Sequence, residues 1–262
     1  MKRRIFIRNA ALATAGLYLP RLNASLPEKK ITHLLTLSFD DGFRNSFIKT
    51  AELYEKYNLK ACFNVITSAH LPTFTPPDQY MPNRELGDFE LWNEFVSRGH
   101  EVMPHGWAHN NLTRMPFEMA KGYIERSLDY FSVHLNGFDP AKAVFVFPFN
   151  ASTQELNEWA VTKVRAVRTI VRGNPVNPWP DKNLRVIDCN SHGPENIDKV
   201  LDDEINKFLN SPGGWFVYNT HGLDDEGWGP MTSAYLDRLL AKLVKIKTLE
   251  ILPAGMALSK YS

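Results

Sequence analysis

The sequence predicts an α/β fold in which seven or eight strand–helix units close into a barrel. Three observations predict it. Short apolar runs rich in Val, Ile and Phe recur along the chain, longer segments of helical periodicity separate them, and polar residues with catalytic chemistry stand where the runs stop. Alternation of this length implies parallel strands joined by right-handed crossovers, and so many units within about 235 residues favour a closed barrel over an open sheet.

The elements follow in order. Residues 1–25, MKRRIFIRNAALATAGLYLPRLNAS, carry a basic head, a short apolar stretch and small residues at the end, the features of an export signal. Arg3 and Arg4 followed by Ile5, Phe6 and Ile7 resemble the twin-arginine type. The apolar stretch is too short to span a bilayer comfortably, so no stable membrane span is expected and the protein is placed in the periplasm or outside the cell. Residues 26–262 then read as a single domain. Its predicted strands are 34–39, 61–66, 101–103, 143–147, 166–170, 184–187, 215–218 and 249–252. The helical segments between them are 46–57, 85–98, 116–135, 153–163, 197–209 and 232–245. Two proline-bearing stretches, SAHLPTFTPPDQYMPNR and VRGNPVNPWPDKN, read as long loops that wall or cover a site.

Composition excludes several roles. At 44% hydrophobic residues the chain can bury a full core, and a net charge of +1 with interspersed signs provides no basic face for nucleic acid. Cys62 and Cys189 each lie inside an apolar run and read as buried thiols. Nothing in the sequence specifies an oligomeric state.

Asp40 and Asp41, in LSFDDGFRNS, are adjacent carboxylates at the end of the first predicted strand, where like charges repel. His105 ends the third strand, Pro148 and Asn150 follow the fourth, Asp188 ends the sixth and His221 the seventh. In a barrel the carboxyl ends of the strands share one face, the face on which active sites are built. A cation there would remove the repulsion between the aspartates. His105-x-x-x-His109 brings two imidazoles toward one ion if the segment turns like a helix. Two histidines and one carboxylate leave coordination positions open, the pattern of a catalytic site, and suit zinc, with cobalt or nickel as alternatives. The plain alternative, that the aspartates cap the helix beginning near Ser46, explains one acid poorly and two worse, because Gly42 and Phe43 intervene.

TLSFDDG, HGWAHNNL, FVFPFN and YNTHG occur in this order, and together they resemble the polysaccharide deacetylases with the NodB-homology domain, carbohydrate esterase family 4. The resemblance runs from about residue 31 to the C-terminus and implies an irregular (β/α) barrel. It also implies a metal-dependent hydrolase that removes N-acetyl or O-acetyl groups from a polysaccharide or oligosaccharide. Asp41, His105 and His109 would hold the metal, Asp40 would be the general base toward a metal-bound water, and His221 the general acid. Phe149, after Pro148, would offer a backbone N–H to the oxyanion.

Two departures stand out. Many family members carry an arginine two residues before the proline of the third motif; here that position is Val146, with Arg168 or Arg185 as substitutes on neighbouring strands. The family's Asp-x-x-Asp-Trp motif is missing, and its nearest counterpart is IDCNSHG, where Asp188 would orient His221 in competition with Asp224 and Asp225. Trp107, Phe149, Tyr218 and Trp228 flank the catalytic candidates and suit the apolar side of a sugar ring. His33, His70, His100, His134 and His192 read as ordinary surface or core residues. The alternatives to an N-acetyl hydrolase are the same machinery acting on another amide or ester, and a metal- or glycan-binding relative without turnover.

Overall fold

The computed structural model describes residues 30–76, 81 and 85–261; the expected export signal lies outside them. The chain forms β1 (His33–Phe39), α1 (Arg44–Lys56), β2 (Cys62–Val65), α2 (Phe89–Ser97), β3 (Glu101–Pro104), α3 (Phe117–His134), β4 (Val144–Val146), α4 (Gln154–Ala160), β5 (Ala166–Thr169), β6 (Val176–Asn177), β7 (Val186–Asp188), α5 (Asp198–Leu209), β8 (Gly214–Thr220), α6 (Ser233–Leu243), β9 (Leu249–Ile251) and α7 (Ala254–Tyr261). Each predicted strand and helix is present. Two elements escape the periodicity: β6, which is two residues long and antiparallel to β8, and α7.

The architecture is an irregular (β/α) barrel made of two sheets instead of one continuous ring. A six-stranded sheet runs β3-β2-β1-β8-β6, with β9 beside the first half of β1, and a three-stranded sheet runs β4-β5-β7. Side chains close the two seams. Between β3 and β4, His105 Nδ1 lies 3.0 Å from the Val146 carbonyl oxygen. Between β7 and β8, the Asn177 amide does the work of a strand: its Oδ1 accepts from Asp188 N–H at 2.9 Å, and its Nδ2 donates to the Asp188 carbonyl at 2.8 Å.

Period-2 alternation sorts the side chains. Leu35, Leu37 and Phe39 face outward into a core shared with α1, α5 and α6, whereas Leu34, Val144, Val146, Ala166, Trp215 and Val217 face the barrel interior. Burial of each such side chain contributes about 1.5–3 kcal/mol, which holds the helices on the sheet. The lower interior is plugged by Ala254, Ala257 and Leu258 of α7. Continuing the same alternation upward places Ser38, Asp40, Asn64, Arg168 and Asn219 in the upper interior, all nearly inaccessible. The interior therefore passes from apolar at its amino end to polar beneath the carboxyl ends of the strands.

Candidate active site

The chain leaves β1 through Asp41 and Gly42, at φ 80° and 98°. A left-handed residue at Asp41 turns its carboxylate away from that of Asp40, and Asp tolerates this conformation better than most residues. This turn, more than simple strand alternation, separates the two acids. The His105–His109 segment is likewise not a helical turn. Gly106 and His109 both have positive φ, 75° and 53°, and a Cβ on Gly106 would lie 2.8 Å from the Pro148 ring. Thr67 and Ser68 N–H groups hold this segment by donating to the Gly106 and Trp107 carbonyls at 3.0 and 2.8 Å.

The result is a compact cluster. Asp41 Oδ1 lies 3.5 Å from His105 Nε2 and 3.3 Å from His109 Nε2, and one ligand atom from each of the three residues lies within 4.8 Å of the others. All three side chains are buried, yet Asp41 Oδ1 has no hydrogen-bond partner. Burial pushes the His109 imidazole down to about 4, so it is neutral and offers a lone pair at neutral pH. Burial opposes ionisation of Asp41, but the surrounding imidazoles, His109 first, outweigh it and hold the carboxyl well below its usual range. An orphaned buried carboxylate oxygen facing two imidazole nitrogens fits a divalent cation, and the O,N,N donor set is that of a catalytic centre with open positions.

Asp40 has the opposite environment. Its Oδ1 accepts from Asn64 Nδ2 at 2.7 Å and Arg168 Nη1 at 3.0 Å; its Oδ2 accepts from Asn219 Nδ2 at 2.7 Å and from Arg168 Nη2. The arginine absent at Val146 is thus supplied by Arg168, which is paired with Val146 in the β4–β5 ladder and faces the same interior. Arg185 is engaged elsewhere, donating to the carbonyls of Val161 and Val164.

A cavity of about 300 Å³ opens above these groups and is lined by Asp40, Asp41, His105, His109, Phe149, Asn150, Ser191, Asn219, His221 and Trp228. Phe149, at φ 58° and 48% exposed, packs against His109 with ring centroids 4.5 Å apart and the planes tilted by 49°. Also in the lining, Trp228 meets His221 edge to face at 5.7 Å. The loop carrying Trp228 is anchored by Glu226, whose carboxylate accepts from Ser46 N–H at 3.0 Å and from the Ser46 hydroxyl, at the start of α1.

Five expectations are corrected. Asp188 lies outside the cavity and does not orient His221, since its carboxylate accepts from Val171 N–H, Arg172 N–H and Arg172 Nε at 2.9, 2.9 and 3.0 Å. Trp107 turns to α3, beneath the Arg126 guanidinium at 3.8 Å from its ring centre. Pro148 packs on Gly106 and supports the turn without lining the cavity. Tyr218 faces the outer core, because alternation along β8 turns Asn219 inward in its place. Asp224, offered as a partner of His221, caps the start of α6 by accepting from Ser233 N–H at 2.9 Å. Asn64, Ser191, Asn219 and Glu226 were not singled out from sequence; a polar residue inside an apolar run, as in CFNV and YNT, was the available signal for two of them. His100 is structural, accepting from Ala61 N–H at 3.0 Å, and the two cysteines are buried and free.

Residues 28–164 match the family model described as polysaccharide deacetylase. No curated protein matches the chain. Among solved structures, a putative polysaccharide deacetylase from Mycobacterium smegmatis is 12% identical, with a TM-score of 0.65 over 90% of this chain and 92% of that one. The catalytic domain of a peptidoglycan N-acetylglucosamine deacetylase from Eubacterium rectale is 17% identical, with a TM-score of 0.55 over 86% and 90%. A family 4 carbohydrate esterase from Streptomyces lividans, in complex with acetate, is 16% identical, with a TM-score of 0.54 over 83% and 90%. At these identities the structures speak to the fold; the family model, covering more than half of the chain, establishes that this protein belongs to the polysaccharide deacetylase family.

Proposed function

We propose that the protein is an exported, metal-dependent hydrolase that removes N-acetyl groups from a polysaccharide or oligosaccharide in the periplasm or outside the cell. One observation carries this reading: the orphaned Asp41 Oδ1 and two imidazoles form a cation-ready cluster on the floor of a cavity that also contains Asp40 and His221. Asp41, His105 and His109 would hold the cation, with zinc favoured and cobalt or nickel also compatible with the donor set. When bound, such an ion polarises an acyl carbonyl and lowers the pKa of water.

The remaining steps belong to the chain. Asp40, oriented by Arg168, takes the proton of the attacking water; Asn219, the donor to Asp40 that lines the cavity, yields its hydrogen bond to that proton. The N–H of Phe149 steadies the developing oxyanion, since the N–H of Asn150 already donates to the Phe147 carbonyl at 3.1 Å. His221, which lines the same cavity, protonates the departing amine. Phe149 and Trp228 present aromatic faces to the apolar side of the sugar ring.

Release of acetate from N-acetylated and O-acetylated oligosaccharides tests the reading. The N-acetylated chains are expected to yield acetate; yield from O-acetylated chains alone would replace amide with ester hydrolysis, and yield from neither would reject deacetylation.

A further inference from the structure

Exposed apolar side chains collect at one part of the barrel rim. Among the described residues, Phe149, Ile170 and Val171 are three of the six large hydrophobic side chains that stay exposed, the last two at 38 and 59%. A loose loop does not account for Ile170 and Val171, because the backbone there is pinned. Ile170 N–H donates to the Asn150 carbonyl at 2.9 Å, and the Val171 and Arg172 N–H groups donate to the buried Asp188 carboxylate, both at 2.9 Å. Asp188 thus holds two apolar side chains out in solvent at the start of the proline-bearing loop that follows β5. Apolar side chains kept exposed side by side by buried bonds mark a surface that meets a ligand.

Ile170 and Val171 form one bank of a groove of about 610 Å³. The other bank is α4 and its C-cap, where Gln154, Asn157, Glu158 and Val161 are spaced i, i+3, i+4 and i+7 and so share a face. That face is rich in acceptors. Gln154 Nε2 donates to Glu158 Oε1 at 2.8 Å, which leaves Gln154 Oε1 and the second Glu158 oxygen to accept, and Asn157 Oδ1 has no partner. The groove is continuous with the cavity through residues 149–152: Phe149 and Asn150 line the cavity, and Ser152 lines the groove. Asn150 joins the two directly. Its side-chain oxygen accepts from Arg168 Nη2 at 2.8 Å, while its backbone oxygen accepts from Ile170.

We propose that this groove is a second sugar-binding site, in which the units of the polysaccharide next to the one in the cavity lie between Ile170 and Val171 on one side and α4 on the other. The cavity, at about 300 Å³, stands at the lower limit of ligand pockets and suits a single sugar, so a longer chain must continue along the surface. A pyranose has an apolar C–H face and a rim of hydroxyl donors, which match an aliphatic bank and an acceptor-rich bank. A lipid or an apolar peptide would cover the α4 acceptors without pairing them. The proposal rests on the glycan substrate of the proposed function and not on its metal.

The test is calorimetric binding of N-acetylglucosamine and its oligomers, up to the pentamer, to metal-loaded full-length protein bearing Asp40→Asn to slow turnover. Affinity is expected to rise on the order of tenfold from dimer to pentamer. Val171→Asp, at an exposed side chain, is expected to abolish that rise while the dimer binds as before. Gln154→Ala, on the other bank, is expected to reduce the rise on the order of threefold, and it decides the matter if Val171→Asp does not fold. A rise that survives these substitutions overturns the proposal, as does affinity that does not change with chain length. A dimeric protein that becomes monomeric with Val171→Asp, read by light scattering, assigns the groove to a second copy of this chain and also overturns it. Acetate release by the protein with Asp40 intact, without any length-dependent binding, contradicts the groove alone. Length-dependent binding that Val171→Asp removes, without acetate release, supports the groove and contradicts the hydrolysis alone.

Discussion

The two ends of the barrel treat buried carboxylates differently. At the carboxyl ends, Asp40 is met by a guanidinium and two side-chain amides, next to Asp41 with an oxygen that has no partner. At the amino ends, Glu101, equally inaccessible at the start of β3, accepts from Gly255 and Met256 N–H at 3.0 and 2.9 Å and so caps α7. Backbone strain divides in the same way. Asp41, His109, Phe149, Asn150 and Asp224 are left-handed residues in segments that leave carboxyl strand ends, whereas Asn58 merely follows a helix. Each left-handed non-glycine residue costs on the order of 1–3 kcal/mol, and such strain persists where the surroundings over-determine it. The stable end holds the fold together, and the strained end holds reactive groups in positions they would not otherwise keep.

The largest expected effects fall at the strained end. His105→Ala removes one of the three candidate ligands, and we expect metal content after chelation and reloading to fall by more than about a hundredfold, measured by elemental analysis. Metal content equal to wild type would remove His105 from the ligand set. Asp40→Asn preserves size and leaves Asp41 in place; metal content stays while kcat drops by about 10²–10⁴-fold. Full activity would assign the proton to another group.

At the stable end, effects appear in unfolding and not in turnover. Glu101→Gln turns one acceptor into a donor facing a backbone N–H, for an expected loss of about 1–3 kcal/mol in urea unfolding with kcat/KM per folded molecule unchanged. A change in kcat/KM without loss of stability would erase the contrast between the ends. The smallest effect is a pH dependence. Hydrogen bonds from Arg98, and then from His100, hold Glu55 down at about 2 against an ordinary 4.5. A depressed folded-state value means its contribution is present above pH 4.5 and is lost as pH falls toward 2. Because Glu55 is partly exposed, that contribution is below about 1 kcal/mol. Glu55→Gln should flatten this part of the stability profile, and an unaltered profile would contradict the assignment.

Legibility from sequence followed the same division. Strand and helix periods came through because one-sided burial imposes them, whereas β6 is too short to show a period and α7 is a short helix of mostly small and apolar residues directly after Pro253. His105 and His109 were readable because candidate ligands close in sequence leave a spacing, and Asp41 because it lies in a motif that carries the family resemblance. Asp40's support was not, because Asn64, Asn150, Arg168 and Asn219 come from four segments and meet only through strand register. Trp107 and Asp188 were misplaced for a related reason: turns with positive φ and loop backbone donors decide where those side chains go, and neither has a period.

The most direct measurement is acetate release from an N-acetylglucosamine oligomer by chelated protein, before and after one equivalent of Zn²⁺ or Co²⁺ is restored. The account predicts no acetate without the ion and turnover that rises in proportion to bound ion up to one per chain. Acetate release that is the same with and without the ion would contradict the central claim that Asp41, His105 and His109 form a catalytic metal centre.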